Sequence, residues 1–338
     1  MNQSVKAALF RLSHHAGANR LARWAFRHRI IALCYHSVVE TVREHFAYRN
    51  AVGKDEFEEQ LILLNRLFRP VSCAEVIAAV YGVAPLPPKA VLVTFDDGFR
   101  NNCAHAAPLL KRHGVPAVFH LTTGYIGKDA LLWTQEIVEI VLNWRRATIP
   151  MPGGLGDASV PQAGSPRLGV AEKIRKLLKT MPNEEKDRYM DLLRGYETSR
   201  GCQVDPYLYR FMDWDEARAL QRDGFEIGAH TVSHPILTRL GPQTLKDELE
   251  ESKAKVETEL GAKCEVLAYP NGMKEDYSPE VAAAARKAGY RLAFNLAGKI
   301  NPPQPDPFEI SRIAVAGLSS SRYGFHTRVS GLYSLLRA

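Results

Sequence analysis

The sequence predicts an α/β fold built on a parallel sheet, either closed as a barrel or doubly wound. Three observations carry this reading. Seven short apolar runs, around 31–35, 91–95, 117–122, 225–229, 265–269, 291–296 and 310–315, read as buried strands. Most are joined by segments with apolar residues at helical spacing, and strand–helix–strand at that spacing implies parallel pairing. A balance of 46% hydrophobic and 24% charged residues over 338 positions supplies a large core.

Taken in order, residues 4–29 read as one or two basic amphipathic helices, with Val5, Ala8, Leu9 and Leu12 on one face and Leu21, Trp24 and Ala25 on another. Such a segment either packs on the outside of the main domain or lies on an anionic membrane surface. The stretch 319–338 has the same character, so the two ends either pack together or both face lipid. Arg29 to Tyr35 is the first strand and delivers His36. Phe57 to Phe68 and Glu75 to Tyr81 are helical, and Pro85-Leu86-Pro87-Pro88 is a rigid connector. After the strand Ala90 to Thr94, Ala104 to His113 is a helix stopped by Gly114, and Pro116 to Thr122 is the next strand.

Residues 128–212 break the rhythm and read as a helical insertion. Its helices are Leu131 to Trp144, Ala171 to Leu178 and Asn183 to Tyr196, with a Gly- and Pro-rich linker over 150–169. The rhythm then resumes. Trp214 to Asp223 is a helix, and Phe225 to Ala229 is a strand that delivers His230. Pro242 to Leu260 is a long charged helix, Glu265 to Tyr269 a strand, and Ser278 to Ala288 a helix. Strands at 291–296 and 308–315 complete the series. The expected organisation is a basic helical segment over 1–29, a main domain over 30–318 and a basic tail over 319–338.

Charge and cysteine content narrow the classes. The net charge of +7 is mostly N-terminal: no acidic residue precedes Glu40, while Lys6, Arg11, Arg20, Arg23, Arg27 and Arg29 do. The rest is nearly neutral, which argues against nucleic acid as a partner. Five scattered cysteines without a CxxC argue against a disulfide framework and a cysteine zinc site. No signal peptide and no membrane span is recognisable, so the expected location is cytoplasmic, with peripheral contact at the inner face of the membrane through the basic helix.

Two stretches carry chemistry. In Thr94-Phe95-Asp96-Asp97-Gly98, adjacent carboxylates stand at the carboxyl end of a strand. Neighbours on an extended chain point in different directions, so one can bind a metal while the other faces substrate. In His230-Thr231-Val232-Ser233-His234-Pro235, histidines four apart on one helical turn can share a metal, with Pro235 ending the turn. Two imidazoles and a carboxylate make a three-ligand set that leaves positions open for water and substrate.

These motifs together resemble those of the polysaccharide deacetylases with a NodB-homology domain, carbohydrate esterase family four. The resemblance spans about 30–316 apart from the insertion. It implies a distorted (β/α)7 barrel, a divalent metal that is usually Zn2+, Asp96 as general base, and Asp97, His230 and His234 as ligands. It also implies an oxyanion held by the metal and by a backbone N–H at the Tyr269-Pro270 corner. Two usual features are missing: an arginine shortly before the proline of Leu267-Ala268-Tyr269-Pro270, and a Leu-x-His near the C-terminus that supplies the general acid. The poly-N-acetylglucosamine deacetylases of biofilm systems, which look circularly permuted, carry the acid histidine in an N-terminal Tyr-His motif, and Tyr35-His36 matches it. His36 is then the candidate acid. Arg312 is a candidate to orient Asp96, and Asp213 is either a second-layer residue or a helix cap. The implied reaction is removal of N-acetyl groups from an amino-sugar polymer or a lipid-linked glycan precursor. The alternatives are an O-acetyl esterase, a deformylase, or a glycan-binding protein with a vestigial site.

Overall fold

The computed structural model describes residues 17–42, 50–162, 166–197, 206–316 and 321–332. Seven parallel strands close a barrel: β1 (Ile31–Tyr35), β2 (Ala90–Phe95), β3 (Ala117–Leu121), β4 (Glu226–Ala229), β5 (Val266–Ala268), β6 (Leu292–Asn295) and β7 (Ile310–Ala314). These are the seven runs expected from sequence, and the barrel alternative is the correct one. Closure is made by β1, which pairs with β2 in the register Tyr35↔Phe95 and with β7 in the register Ala32↔Arg312. A two-residue strand, Arg69–Pro70, adds to the outside edge of β2.

Side-chain alternation divides the core in two. Ala32, Leu92, Val118, Val266, Phe294 and Ile310 fill the barrel interior. Leu33, Val93, Phe119, Ile227, Leu267 and Ala293 point outward and meet the surrounding helices in a larger apolar layer. The inward column continues upward through Thr94, His120, Gly228 and Arg312. It emerges at the carboxyl-terminal rim as His36, Asp96 and His230, where a βα barrel gathers its chemistry.

The helices form close to their expected places: Lys54–Leu67, Cys73–Val80, Trp214–Arg222, Pro242–Leu260 and Pro279–Lys287. The segment after β2 differs. A π-turn at Asn102–Ala106 precedes the α-helix Ala107–His113, and Gly114 ends it in the left-handed conformation at φ 61°. The insertion has its own apolar cluster, formed chiefly by Trp133–Asn143, Pro166–Thr180 and Asn183–Glu197. Its Gly- and Pro-rich part is not simply a linker, because Thr148–Pro150 pairs antiparallel with Asp157–Ser159.

The two ends of the chain pack together. Helix Ala18–Ala25 lies against helix Arg322–Val329 through Asn19, whose side chain bonds Thr327 and Ser330. Arg23 meets His326 at 2.8 Å. The expected helical residues 4–16 and the apolar Leu335 and Leu336 lie outside the described residues.

Candidate active site

Asp96 is the most heavily contacted carboxylate of the site. It is 1% exposed, and Arg312 grips both its oxygens, Nη1 to Oδ1 and Nη2 to Oδ2, each at 2.6 Å. His120 Nδ1 adds a contact to Oδ1 at 3.1 Å, and the Cys34 thiol one to Oδ2 at 3.3 Å. Burial alone would raise the Asp96 pKa. The Arg312 charge, helped by His230 and the His120 bond, outweighs it and holds the carboxyl well below the usual range. Arg312 is itself fully buried, braced by Thr94 Oγ1 at 3.0 Å and stacked over Phe294. Its two bonds to Asp96 are the contact that the candidate role of orienting that carboxylate requires.

His120 was not anticipated from sequence. Burial pushes its pKa down to about 4 against the pull of Asp96, so the ring is neutral. A neutral ring that bonds a carboxylate through Nδ1 carries its proton there. Gly228 on the neighbouring strand makes room for it, since a Cβ at that position would lie 2.5 Å from His120 Cδ2.

Asp97 turns the other way because the backbone enters the left-handed region at φ 74°, with Gly98 following at φ 89°. His230 and His234 bring Nε2 to 3.5 and 3.6 Å from Asp97 Oδ1. His230 donates its Nδ1–H to the Ala268 carbonyl at 2.7 Å, which leaves Nε2 as the lone-pair atom facing Asp97. Burial works against both charged forms. It is outweighed at His230, whose pKa is raised by Asp96 and Asp97, and it prevails at His234, pushed down to about 3.

The two histidines do not sit on a helical turn as expected. Residues 230–236 form an irregular loop in which Thr231 (φ 66°) and His234 (φ 57°) are left-handed. The Glu248 carboxylate accepts from the Val232 and Ser233 N–H groups and the Ser233 hydroxyl, and Thr231 Oγ1 accepts from His234 N–H. Four of the five non-glycine residues with positive φ among the described residues are Asp97, Thr231, His234 and Asn271. Backbone strain is thus concentrated where side chains must converge.

The donor set fits a divalent cation. Asp97 Oδ1 is buried without a hydrogen-bond partner, and one ligand atom each from Asp97, His230 and His234 lie within 4.8 Å of one another. A buried carboxylate oxygen flanked by two imidazole nitrogens at these distances is a donor set for a cation.

These groups line a cavity of about 300 Å³, whose wall also includes His36, Tyr209, Asn271 and Leu296. His36 is half-buried, with a ring nitrogen within 4.8 Å of an Asp96 oxygen. The insertion supplies Thr134, Gln135, Val138, Arg175 and Lys179 to the same cavity.

Three of the candidate residues, Asp213, Tyr269 and Pro270, do not line the cavity. Asp213 caps helix Trp214–Arg222, accepting from Glu216 N–H at 2.8 Å, and is exposed. Tyr269 cannot offer its N–H to an oxyanion, because that group donates to the Phe294 carbonyl at 3.0 Å and its hydroxyl to the Phe308 carbonyl. Pro270 has no N–H. The residue of this corner that lines the cavity is Asn271.

Comparison with known proteins identifies the family and the fold. The Escherichia coli (strain K12) poly-beta-1,6-N-acetyl-D-glucosamine N-deacetylase is 31% identical over 91 residues, covering 26% of this chain and 13% of that protein. The Bacillus subtilis (strain 168) protein YxkH is 25% identical over 111 residues, 32% of this chain and 39% of that one. This chain therefore matches well under half the length of either relative. Among solved structures, IcaB from Ammonifex degensii superposes with a TM-score of 0.58 at 21% identity, covering 89% of this chain and 97% of that one. The Streptococcus pyogenes deacetylase PplD, in complex with acetate, gives 0.56 at 18%, covering 86% and 95%. Both share the fold. The sequence profile described as polysaccharide deacetylase matches residues 84–293, a span that holds Asp96, Asp97, His230 and His234 but neither His36 nor Arg312. With well over half its length matched and the profile's span folded around those four residues, the chain belongs to the polysaccharide deacetylase family.

Proposed function

We propose that the protein is a divalent-metal-dependent hydrolase that removes N-acetyl groups from an amino-sugar polymer or lipid-linked glycan, releasing acetate and a free amine. The observation that carries this reading is the convergence of Asp97, His230 and His234 beside an Asp96 fixed by Arg312, in one cavity. A divalent cation held by those three residues, Zn2+ by the nature of the donors, would supply Lewis acidity and an acidified water.

The chain's own residues do the rest. Asp96, adjacent to the ligand Asp97, takes a proton from the attacking water. Arg312 keeps the carboxylate ionised and unable to rotate. His36, on the rim of β1, donates a proton to the amide nitrogen as the carbon–nitrogen bond breaks. Asn271 occupies the corner where an oxyanion donor was expected.

The test is metal content and acetate release measured together on N-acetylglucosamine oligomers. Asp96→Asn is expected to keep its metal and lose roughly 10²–10⁴-fold in kcat. His230→Ala is expected to lose both. Full turnover by Asp96→Asn would sink the mechanism. Inert N-acetyl oligomers together with release of formate from an N-formylated sugar, or of acetate without free amine from an O-acetylated glycan, would replace N-acetyl hydrolysis by deformylation or O-deacetylation.

We further infer that the protein works against an anionic membrane surface from the cytoplasmic side. Helix Ala18–Ala25 buries Asn19 and Ala22 while Leu21 and Trp24 stand 69% and 62% exposed, with Arg27 over the Trp24 ring. Exposed Leu and Trp among arginines is the composition of an interfacial helix.

A further inference from the structure

The insertion helix Pro166–Thr180 carries five cations, Arg167, Lys173, Arg175, Lys176 and Lys179, against one carboxylate, Glu172. Leu168, Ala171, Ile174 and Leu178 bury one side of it. Arg175 and Lys179, one turn apart, line the cavity that also holds Asp96, His230 and His234. Both are largely enclosed, at 18% and 19% side-chain exposure, whereas Lys176 on the outer side is 73% exposed.

Each cavity cation has a carboxylate partner. Glu172 takes the Nε and Nη2 edge of Arg175 at 2.8–3.0 Å, and no hydrogen bond among the described residues uses Nη1. Lys179 lies 3.7 Å from the buried Asp276, which also accepts from the N–H of Met273, another residue of the cavity wall. The contact ties the insertion to the loop after β5. These carboxylates offset the desolvation of the two cations, but neither Glu172 nor Asp276 lines the cavity, so its wall presents positive charge that a neutral N-acetylated sugar does not use.

We propose that the cavity accepts an anionic substituent, a phosphate or a carboxylate, carried by the amino-sugar substrate and held by Arg175 and Lys179. This rests on the hydrolase reading above and narrows its substrate to a negatively charged N-acetylated glycan. Arg175 offers its Nη1 donors and Lys179 a point charge, a pairing suited to an oxyanion with several acceptor oxygens.

Calorimetry on the metal-loaded protein with N-acetylglucosamine 1-phosphate and with N-acetylglucosamine reads this preference without turnover. Matched N-acetylated disaccharides with and without a uronic acid distinguish carboxylate from phosphate. At least one anionic probe is expected to bind about tenfold or more tightly than its neutral counterpart. Arg175→Gln and Lys179→Gln should each collapse the ratio severalfold, while Lys179→Arg restores it and Lys176→Gln leaves it unchanged. Thermal melting checks that each variant folds. Equal binding of charged and neutral probes would overturn the proposal. So would a preference that the Arg175 and Lys179 variants do not alter, since the anion would then be sitting on the metal. Selective binding with no amide hydrolysis would remove the hydrolase reading and leave the anion site. Hydrolysis without charge preference would do the reverse.

Discussion

At the scale of single residues, Asp96 is described by its four donors. Arg312 supplies two short charge-assisted bonds, His120 a longer one on Oδ1, and Cys34 a weak thiol contact on Oδ2. The less heavily bonded oxygen is therefore Oδ2. His120→Phe removes a donor and is expected to lower kcat more than it raises KM, by roughly tenfold, with His120→Asn recovering part of the loss. Steady-state kinetics on the three proteins decides this, and equal changes in kcat and KM would make His120 a packing residue. His36→Ala should retain full metal content and lose roughly 10²-fold or more in kcat. An unchanged rate would move the general acid elsewhere. Asp96, Asp97, His230 and His234 were legible in sequence because two short motifs name them. His120 was not, although a signal exists: it is the one polar residue in the apolar run Ala117-Val118-Phe119-His120-Leu121, in phase with the inward-facing Val118. Tyr269 was misassigned because residue identity does not reveal that a strand neighbour has already taken its N–H.

At the scale of elements, two glycines decide whether neighbouring segments approach closely enough. Gly124 lets the loop after β3 run alongside the histidine loop, with Thr123 N–H bonding Thr231 O and Gly124 N–H bonding Val232 O. A Cβ there would lie 2.5 Å from the Val232 carbonyl oxygen. Gly228 lies between His120 and Val266, where a Cβ would meet the Val266 side chain at 2.7 Å and its carbonyl oxygen at 3.0 Å. Gly228→Ala is expected to cost about 1–3 kcal/mol by urea denaturation and to lower kcat by displacing His120. A destabilised protein with intact kcat would separate His120 from catalysis. The strands were readable because buried parallel strands are continuous apolar runs. The histidine loop was not, because HxxxH spacing fits a helical turn equally well. What sets the loop geometry is Glu248, fourteen positions beyond His234 and on another element.

At the scale of the whole molecule, the insertion and the paired helices Ala18–Ala25 and Arg322–Val329 stand on the barrel as separate surfaces. The sequence marked the insertion by its broken rhythm, but its role depends on where it folds back, and no local pattern encodes that. The termini were legible as amphipathic. Which face is buried depends on the helix Arg322–Val329, more than 290 residues away. Leu21→Glu with Trp24→Glu is expected to abolish co-flotation with anionic liposomes while leaving hydrolysis of soluble oligomers intact. Wild-type protein that ignores such liposomes at low salt would refute the membrane proposal.

The closure of the barrel by β1 has a consequence for when the protein becomes active. β1 is made first, yet one of its two neighbours, β7, is made some 280 residues later, as the register Ala32↔Arg312 requires. Arg312, the clamp on Asp96, arrives on that same last strand. A nascent chain can carry Asp96, Asp97, His230 and His234 and still lack both the barrel seam and the charge that keeps Asp96 ionised. Such long-range closure is slow to form. Catalytic competence thus waits for the final barrel strand, and activity regained on refolding should follow the slowest phase rather than the appearance of helices and strands.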